Sequence, residues 1–75
     1  MNNGVRKELA QIKTHLSSVC SRLEELRDAE QDKYDNMPAD LQNGVFGERI
    51  NDVISYLSDA ADNAQTTIDS LDNIE

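Results

Sequence analysis

The feature that most constrains the fold is a series of apolar residues near the start of the chain, spaced at alternating steps of four and three. This heptad seam comprises Val5, Leu9, Ile12, Leu16, Val19, Leu23 and Leu26. A helix places residues with this spacing along one side, whereas a strand would need steps of two. The seam therefore predicts a first helix over about residues 4–35 that packs against another helix.

A proline marks the end of this helix. Pro38 disfavours helical geometry at the residue before it and lacks an amide donor, so the first helix should stop ahead of it. Proline suits the first position of a short helical turn, and Gly44 offers a left-handed stop after that turn. The connection is predicted over about residues 36–46, with Asn36, Met37 and Pro38 as its turn.

The remainder of the chain predicts a second helix over about residues 47–73, because its apolar residues fall on one side at helical spacing. Its expected core or dimer seam comprises Ile50, Leu57, Ala61, Ala64, Ile68 and Leu71. The alanines leave room for a facing helix to approach closely.

Two helices of similar length joined by a short connection predict an all-α antiparallel helical hairpin, coiled-coil-like, as a single domain. With 75 residues, a lone hairpin leaves part of each apolar side in water. Pairing of two hairpins into a four-helix bundle with twofold symmetry would cover these sides, so a homodimer is expected. The open alternatives are that the uncovered side serves a different partner, or that the chain is a fragment of a larger helical assembly.

Acidic residues outnumber basic ones 15 to 7, for a net charge of −8. This balance argues against direct binding of nucleic acid or of an anionic membrane. The predicted second helix holds most of the excess, including an acidic stripe on its back: Glu48, Asp52, Asp59, Asp62 and Asp69. The stripe is either a solvated surface or a row of charge that mimics the phosphates of a nucleic acid. No calcium-loop motif accompanies it.

Residue types that carry catalytic or metal chemistry are scarce, with a single histidine and a single cysteine. No paired-histidine motif, nucleophile elbow or glycine-rich phosphate loop is present in the sequence. We therefore expect neither an enzyme nor a bound cofactor or metal. His15 is expected at the edge of the seam, and Cys20 as a partly buried thiol, with a symmetric inter-chain disulfide as its alternative.

The sequence contains no apolar run long enough to span a membrane and no signal-peptide pattern at its start. An unpaired cysteine suits a reducing compartment. A cytoplasmic location is therefore expected.

Residues 30–42 read Glu-Gln-Asp-Lys-Tyr-Asp-Asn-Met-Pro-Ala-Asp-Leu-Gln. This E-x-x-x-Y-D-N-M-P-x-x-L-Q segment, followed by Gly-Glu and an acidic helix, resembles small helical proteins carried by phages and mobile elements. The resemblance covers about residues 30–75, although Gly44 and Gly47 interrupt a stretch where the usual pattern has a stronger helix. It implies a phage-like origin and carries over no functional residue.

The expected function is non-enzymatic protein–protein binding, by helical assembly or by occupying the surface of a partner. The alternative, which the resemblance raises, is a phage-encoded inhibitor of a host defence or nucleic-acid-handling complex. Such an inhibitor would present the acidic stripe to the basic groove of its target, in the cytoplasm of the host cell.

Overall fold

The computed structural model describes residues 2–74, and these residues form helices and their connections without strands. Helix α1 spans Asn3–Asp35, the short helix α2 spans Ala39–Gln42, and helix α3 spans Val45–Asp72. Helix α1 packs along α3, and α2 packs on α3. The expectation of an all-α chain in which a long helix pairs with another is confirmed.

Helix α1 begins where a side chain caps its first turn. The Asn2 carboxamide oxygen accepts a hydrogen bond from the Val5 amide at 2.8 Å, which satisfies a donor that the first turn leaves free. The helix ends at Asp35, and the amide of the C-cap residue Asn36 donates to the Asp32 carbonyl. Its bounds lie within one residue of the range predicted from the heptad seam.

The connection contains one helical turn. Asn36 and Pro38 are exposed and Met37 is half-buried. Pro38 is the N-cap of α2 with extended backbone, one residue before the position expected for it. The Gln42 side-chain amide donates to the Tyr34 carbonyl at 2.8 Å and so ties α2 to the end of α1.

The predicted left-handed stop at Gly44 is wrong. Asn43 closes α2 with right-handed backbone angles, and Gly44 is the extended N-cap of α3 with a φ of −98°. The chain passes directly from one helix into the next, so no reversal of backbone handedness is needed there.

Gly47 is the position where α2 lies against α3. It is buried in the first turn of α3, and a Cβ added there would lie 2.5 Å from the carbonyl carbon of Gln42 and 2.8 Å from its Cα. These distances are shorter than any van der Waals contact, so only glycine allows this approach. Helix α3 continues through Gly47 without interruption.

Two contacts fix how the long helices run. The Cys20 thiol lies 3.5 Å from the Ala61 carbonyl oxygen, and the Lys13 ammonium lies 3.1 Å from the Asp72 carboxylate. The contacted residue number falls along α3 as it rises along α1, so the two helices run in opposite directions.

The chain is a rod. Its Cα atoms extend over 59 × 14 × 12 Å with a radius of gyration of 17.2 Å, whereas a compact chain of this length would have about 11 Å. The accessible surface is 5592 Å², whereas a folded monomer of this mass exposes about 4600 Å². The chain therefore exposes about 1000 Å² more than a compact domain of its size.

Candidate interaction surface

The side of α1 that contacts α3 is made of buried and half-buried residues. Cys20 is buried, and Leu9, Leu16 and Leu23 of the heptad seam are half-buried. The facing line on α3 comprises Gly47, Ile50, Ile54, Leu57, Ala61, Ala64, Ile68 and Leu71. All six residues expected in the seam of the second helix lie on this line.

The other four residues of the heptad seam are exposed to solvent. Val5, Ile12, Val19 and Leu26 have between 42 and 56% of their surface exposed. Because the contact of α1 with α3 runs along the three half-buried leucines and the buried Cys20, the remaining line of the seam lies beside that contact and is about half open to solvent. The seam is thus half core and half open surface.

A second open line runs along α3 at the same seven-residue spacing. Phe46, Val53, Thr67 and, just after the helix, Ile74 are exposed on this line, and Ala60 between them is half-buried. Phe46 is 65% exposed, and Val53 and Ile74 are close to half exposed. None of these residues was included in the seam expected from the sequence. The sequence pattern that could have identified them is a second heptad seam. Taken with Ile50, Leu57, Ala64 and Leu71 of the contact line, they are spaced at alternating steps of four and three along the whole of α3.

Both open lines lie on the same broad side of the helix pair. In α1 three of the four open residues precede a contact-line leucine by four positions, as Val19 precedes Leu23, and Leu26 precedes the half-buried Glu30 by four. In α3 Val53 precedes Leu57 by four. At about 100° per residue this offset is the same rotation in both helices. The two helices of an antiparallel pair are related by an approximate twofold axis normal to the plane that contains both helix axes. Equal rotations away from the contact therefore bring the open residues of both helices to the same side of that plane, which is one broad side of the rod. This apolar face comprises Val5, Ile12, Val19, Leu26, Phe46, Val53, Ala60 and Ile74.

The apolar face has relief that fits a helix. A shallow depression of about 220 Å³ is lined by Val19, Arg22, Leu23 and Leu26. These four positions are spaced as i, i+3, i+4 and i+7, which is the hole that receives one side chain of a facing helix in coiled-coil packing.

The opposite broad side of the helix pair is polar. Ser17 and Glu24 of α1 and Asn51 and Gln65 of α3 are exposed there. The rod therefore has one apolar and one hydrophilic broad side.

The acidic stripe is a separate surface on the outer side of α3. All five of its carboxylates are exposed. The ion pairs found among residues 2–74 are Lys13–Asp72, Arg27–Asp28 and Lys33–Glu30, and none includes a residue of the stripe. Within the stripe Asp69 accepts a hydrogen bond from Gln65 at 2.9 Å. The stripe and the apolar face do not share a residue, so each can be changed alone.

The Cys20 thiol lies in the interface between the long helices. Its Sγ is 3.5 Å from the Ala61 carbonyl oxygen and 3.4 Å from a Glu24 carboxylate oxygen. Burial raises the pKa of the thiol, and the hydrogen bond and charge of Glu24 and the charge of Asp62 raise that pKa further, while Arg27 lowers it. The thiol is therefore protonated at neutral pH and packs between the two helices.

His15 lies on the exposed surface of α1, beside a shallow depression lined also by Lys7, Ala10, Gln11 and Thr14. Among residues 2–74, no three or more side chains of His, Cys, Asp or Glu are grouped so that they could hold a metal ion.

Comparisons of the sequence with protein-family models, with curated proteins and with solved structures find no match. Across residues 2–74, no helix combines the length and the apolar composition that crossing a membrane requires.

Proposed function

We propose that the chain is a non-enzymatic protein–protein interaction module, an antiparallel helical hairpin whose apolar face binds another helical surface. The observation that carries this proposal is the apolar face itself, which has two heptad-spaced lines on one broad side of the rod, opposite a polar side. Monomeric soluble proteins seldom leave a continuous apolar surface of this kind in water, and those that do use it for binding. The proposed place of action is the cytoplasm.

The experiment compares two matched lysine variants with the native chain. Leu26→Lys places a charge in the apolar face, and Ser17→Lys adds the same charge on the polar broad side. Association, with itself or with a protein from a bacterial lysate, is measured at low and high salt. We expect it to persist at high salt, to be lost in Leu26→Lys and to be kept in Ser17→Lys, since apolar contacts are not screened. Absence of any association of the native chain, or equal association of both variants, would refute the proposal.

A second candidate function is favoured by the acidic stripe. Its five carboxylates are exposed and lie outside the ion pairs of the described residues, so their charge is available to a basic partner. In this alternative the protein is a phage-encoded inhibitor that occupies the nucleic-acid groove of a host complex by mimicking phosphates. The resemblance of residues 30–75 to phage-carried proteins supplies the biological context.

Two charge reversals separate this candidate from the first. Asp52→Lys with Asp59→Lys changes the stripe, and Glu25→Lys with Asp32→Lys makes the same change of net charge on the outer side of α1. Mimicry predicts that only the first pair abolishes binding to a nucleic-acid-binding complex, and that native binding weakens steeply with salt. Unchanged binding by the stripe variant would exclude mimicry.

A further inference from the structure

We propose that the partner of the apolar face is a second copy of this chain, packed face to face so that α1 of each copy lies over α3 of the other. This inference rests on the proposed function, because it names the occupant of the same surface. The product is a closed four-helix bundle with a twofold axis parallel to the rod.

The exposed area matches what such a dimer would bury. The rod exposes 5592 Å², about 1000 Å² more than a folded monomer of its mass. A standard stable interface buries about 800 Å² on each partner. Covering one broad side of the rod would therefore return each chain to the exposure of an ordinary folded protein.

The apolar face is also self-complementary in register. With Cys20 level with Ala61, each open residue of α1 lies within about 3 Å, along the rod, of an open residue of α3. The resulting layers are Val5 with Ile74, Ile12 with Thr67, Val19 with Ala60, and Leu26 with Val53. A twofold axis parallel to the rod places each layer on its own copy, so apolar groups meet apolar groups in three of the four layers, and Ile12 meets Thr67 in the fourth.

Charge decides between the two twofold arrangements that such a face permits. Residues 45–75 contain seven acids and one base, a net charge of −6, whereas residues 1–37 contain seven acids and six bases, a net charge of −1. An axis across the rod would stack α3 on the α3 of the partner and bring the two most acidic helices together. An axis along the rod places α3 over the nearly neutral α1, which is the less repulsive choice.

The flanks of the apolar face agree with this choice. Arg22 borders the face on α1, and Tyr56, which is 72% exposed, borders it on α3. In the Cys20–Ala61 register the two side chains lie about one turn or less apart along the rod. In the proposed dimer each Tyr56 lies beside Arg22 of the other copy, where a cation–π contact covers both.

The assembly stops at two copies because the other broad side is polar. Ser17, Glu24, Asn51 and Gln65 are exposed there, so a third rod would find no apolar line to cover. The heterologous growth that produces filaments would need a second apolar line, which this polar side does not supply.

The first test is the mass of the full chain by sedimentation equilibrium over a range of concentrations. We expect twice 8.4 kDa for the native chain and for Ser17→Lys. Val19→Lys should weaken the dimer at least about 100-fold, because an unpaired ammonium would be buried at the centre of the interface. Lysine also lowers the net negative charge, so added repulsion does not explain a loss. A monomeric native chain overturns the inference.

The second test fixes the arrangement and does not need Val19→Lys to fold. With Cys20→Ala in both chains, one chain carries Val19→Cys and the other Ala60→Cys, and the mixture is oxidised mildly. The proposed dimer predicts disulfides between the two different chains, which mass spectrometry separates from like pairs. A predominance of Val19→Cys pairs would place α1 over α1 and overturn the arrangement.

The outcomes also separate this inference from the proposed function. If the native chain is monomeric while Leu26→Lys still abolishes capture of another protein, the apolar face remains a binding surface and its partner is not a second copy. If the native chain is monomeric and neither lysine variant changes any association, both proposals fail.

Discussion

Gly47→Ala tests whether the contact between α2 and α3 holds the chain in its fold. In an ordinary helix, alanine in place of glycine stabilises by about 1 kcal/mol. Here the added Cβ would lie 2.5 Å from the carbonyl carbon of Gln42, and the obstruction is backbone that cannot rotate away. Overpacking of this kind costs about 1–3 kcal/mol, and the rigid neighbour places this site at the upper end. The expected net loss is about 2 kcal/mol.

The assay is thermal unfolding followed by circular dichroism, at one protein concentration because association raises the apparent Tm. For a domain of this size the loss lowers Tm by about 10 °C. Gly4→Ala is the matched control, since its Cβ would meet the Asn2 side chain at an ordinary 3.4 Å. It should leave stability unchanged or raise it by up to about 0.5 kcal/mol. A Gly47→Ala chain that melts at or above the native Tm would refute the steric argument.

Three further perturbations test other contacts. Because burial raises the pKa of Cys20, alkylation of the folded chain near pH 8 should be much slower than in denaturant, which a thiol-reactive dye measures. The raised pKa also predicts that the contribution of Cys20 to the free energy of unfolding is fully present at neutral pH and is lost as the pH rises above the usual cysteine range. Thermal melts at several pH values should show this loss in the native chain and not in Cys20→Ala. Gln42→Ala removes the hydrogen bond to the Tyr34 carbonyl and should cost about 1 kcal/mol in urea unfolding. Lys13→Ala breaks the exposed pair with Asp72 and should change stability by less than about 1 kcal/mol, with no effect at high salt.

The heptad seam, with Pro38 as the helix breaker, was enough to predict α1 almost to the residue. It was not enough to say which residues α3 covers. A seam of alternating steps specifies a line, and whether Val19 or Cys20 turns inward depends on how many helices surround it. With a single neighbour, the contact shifts toward Cys20 and leaves Val19 open.

The role of Gly47 had no signal in the sequence. A glycine within a helical pattern indicates only a locally weaker helix. Here glycine is required because the backbone of Gln42, five residues earlier in the chain, packs against position 47. The open line of α3 did have a signal, since Phe46 and Val53 continue the heptad spacing, but it is diluted by Thr67 and by small residues. The close approach of α2 to α3 and the number of helices that surround a seam are properties of packing, and periodicity alone does not encode them.

Small-angle X-ray scattering of the native chain shows whether a second copy covers the apolar face along its length, because it gives mass and length together. We expect twice the 8.4 kDa mass at a maximum dimension close to the 59 Å rod of one chain. A mass of 8.4 kDa, or a doubled mass in a particle much longer than one rod, would contradict this expectation.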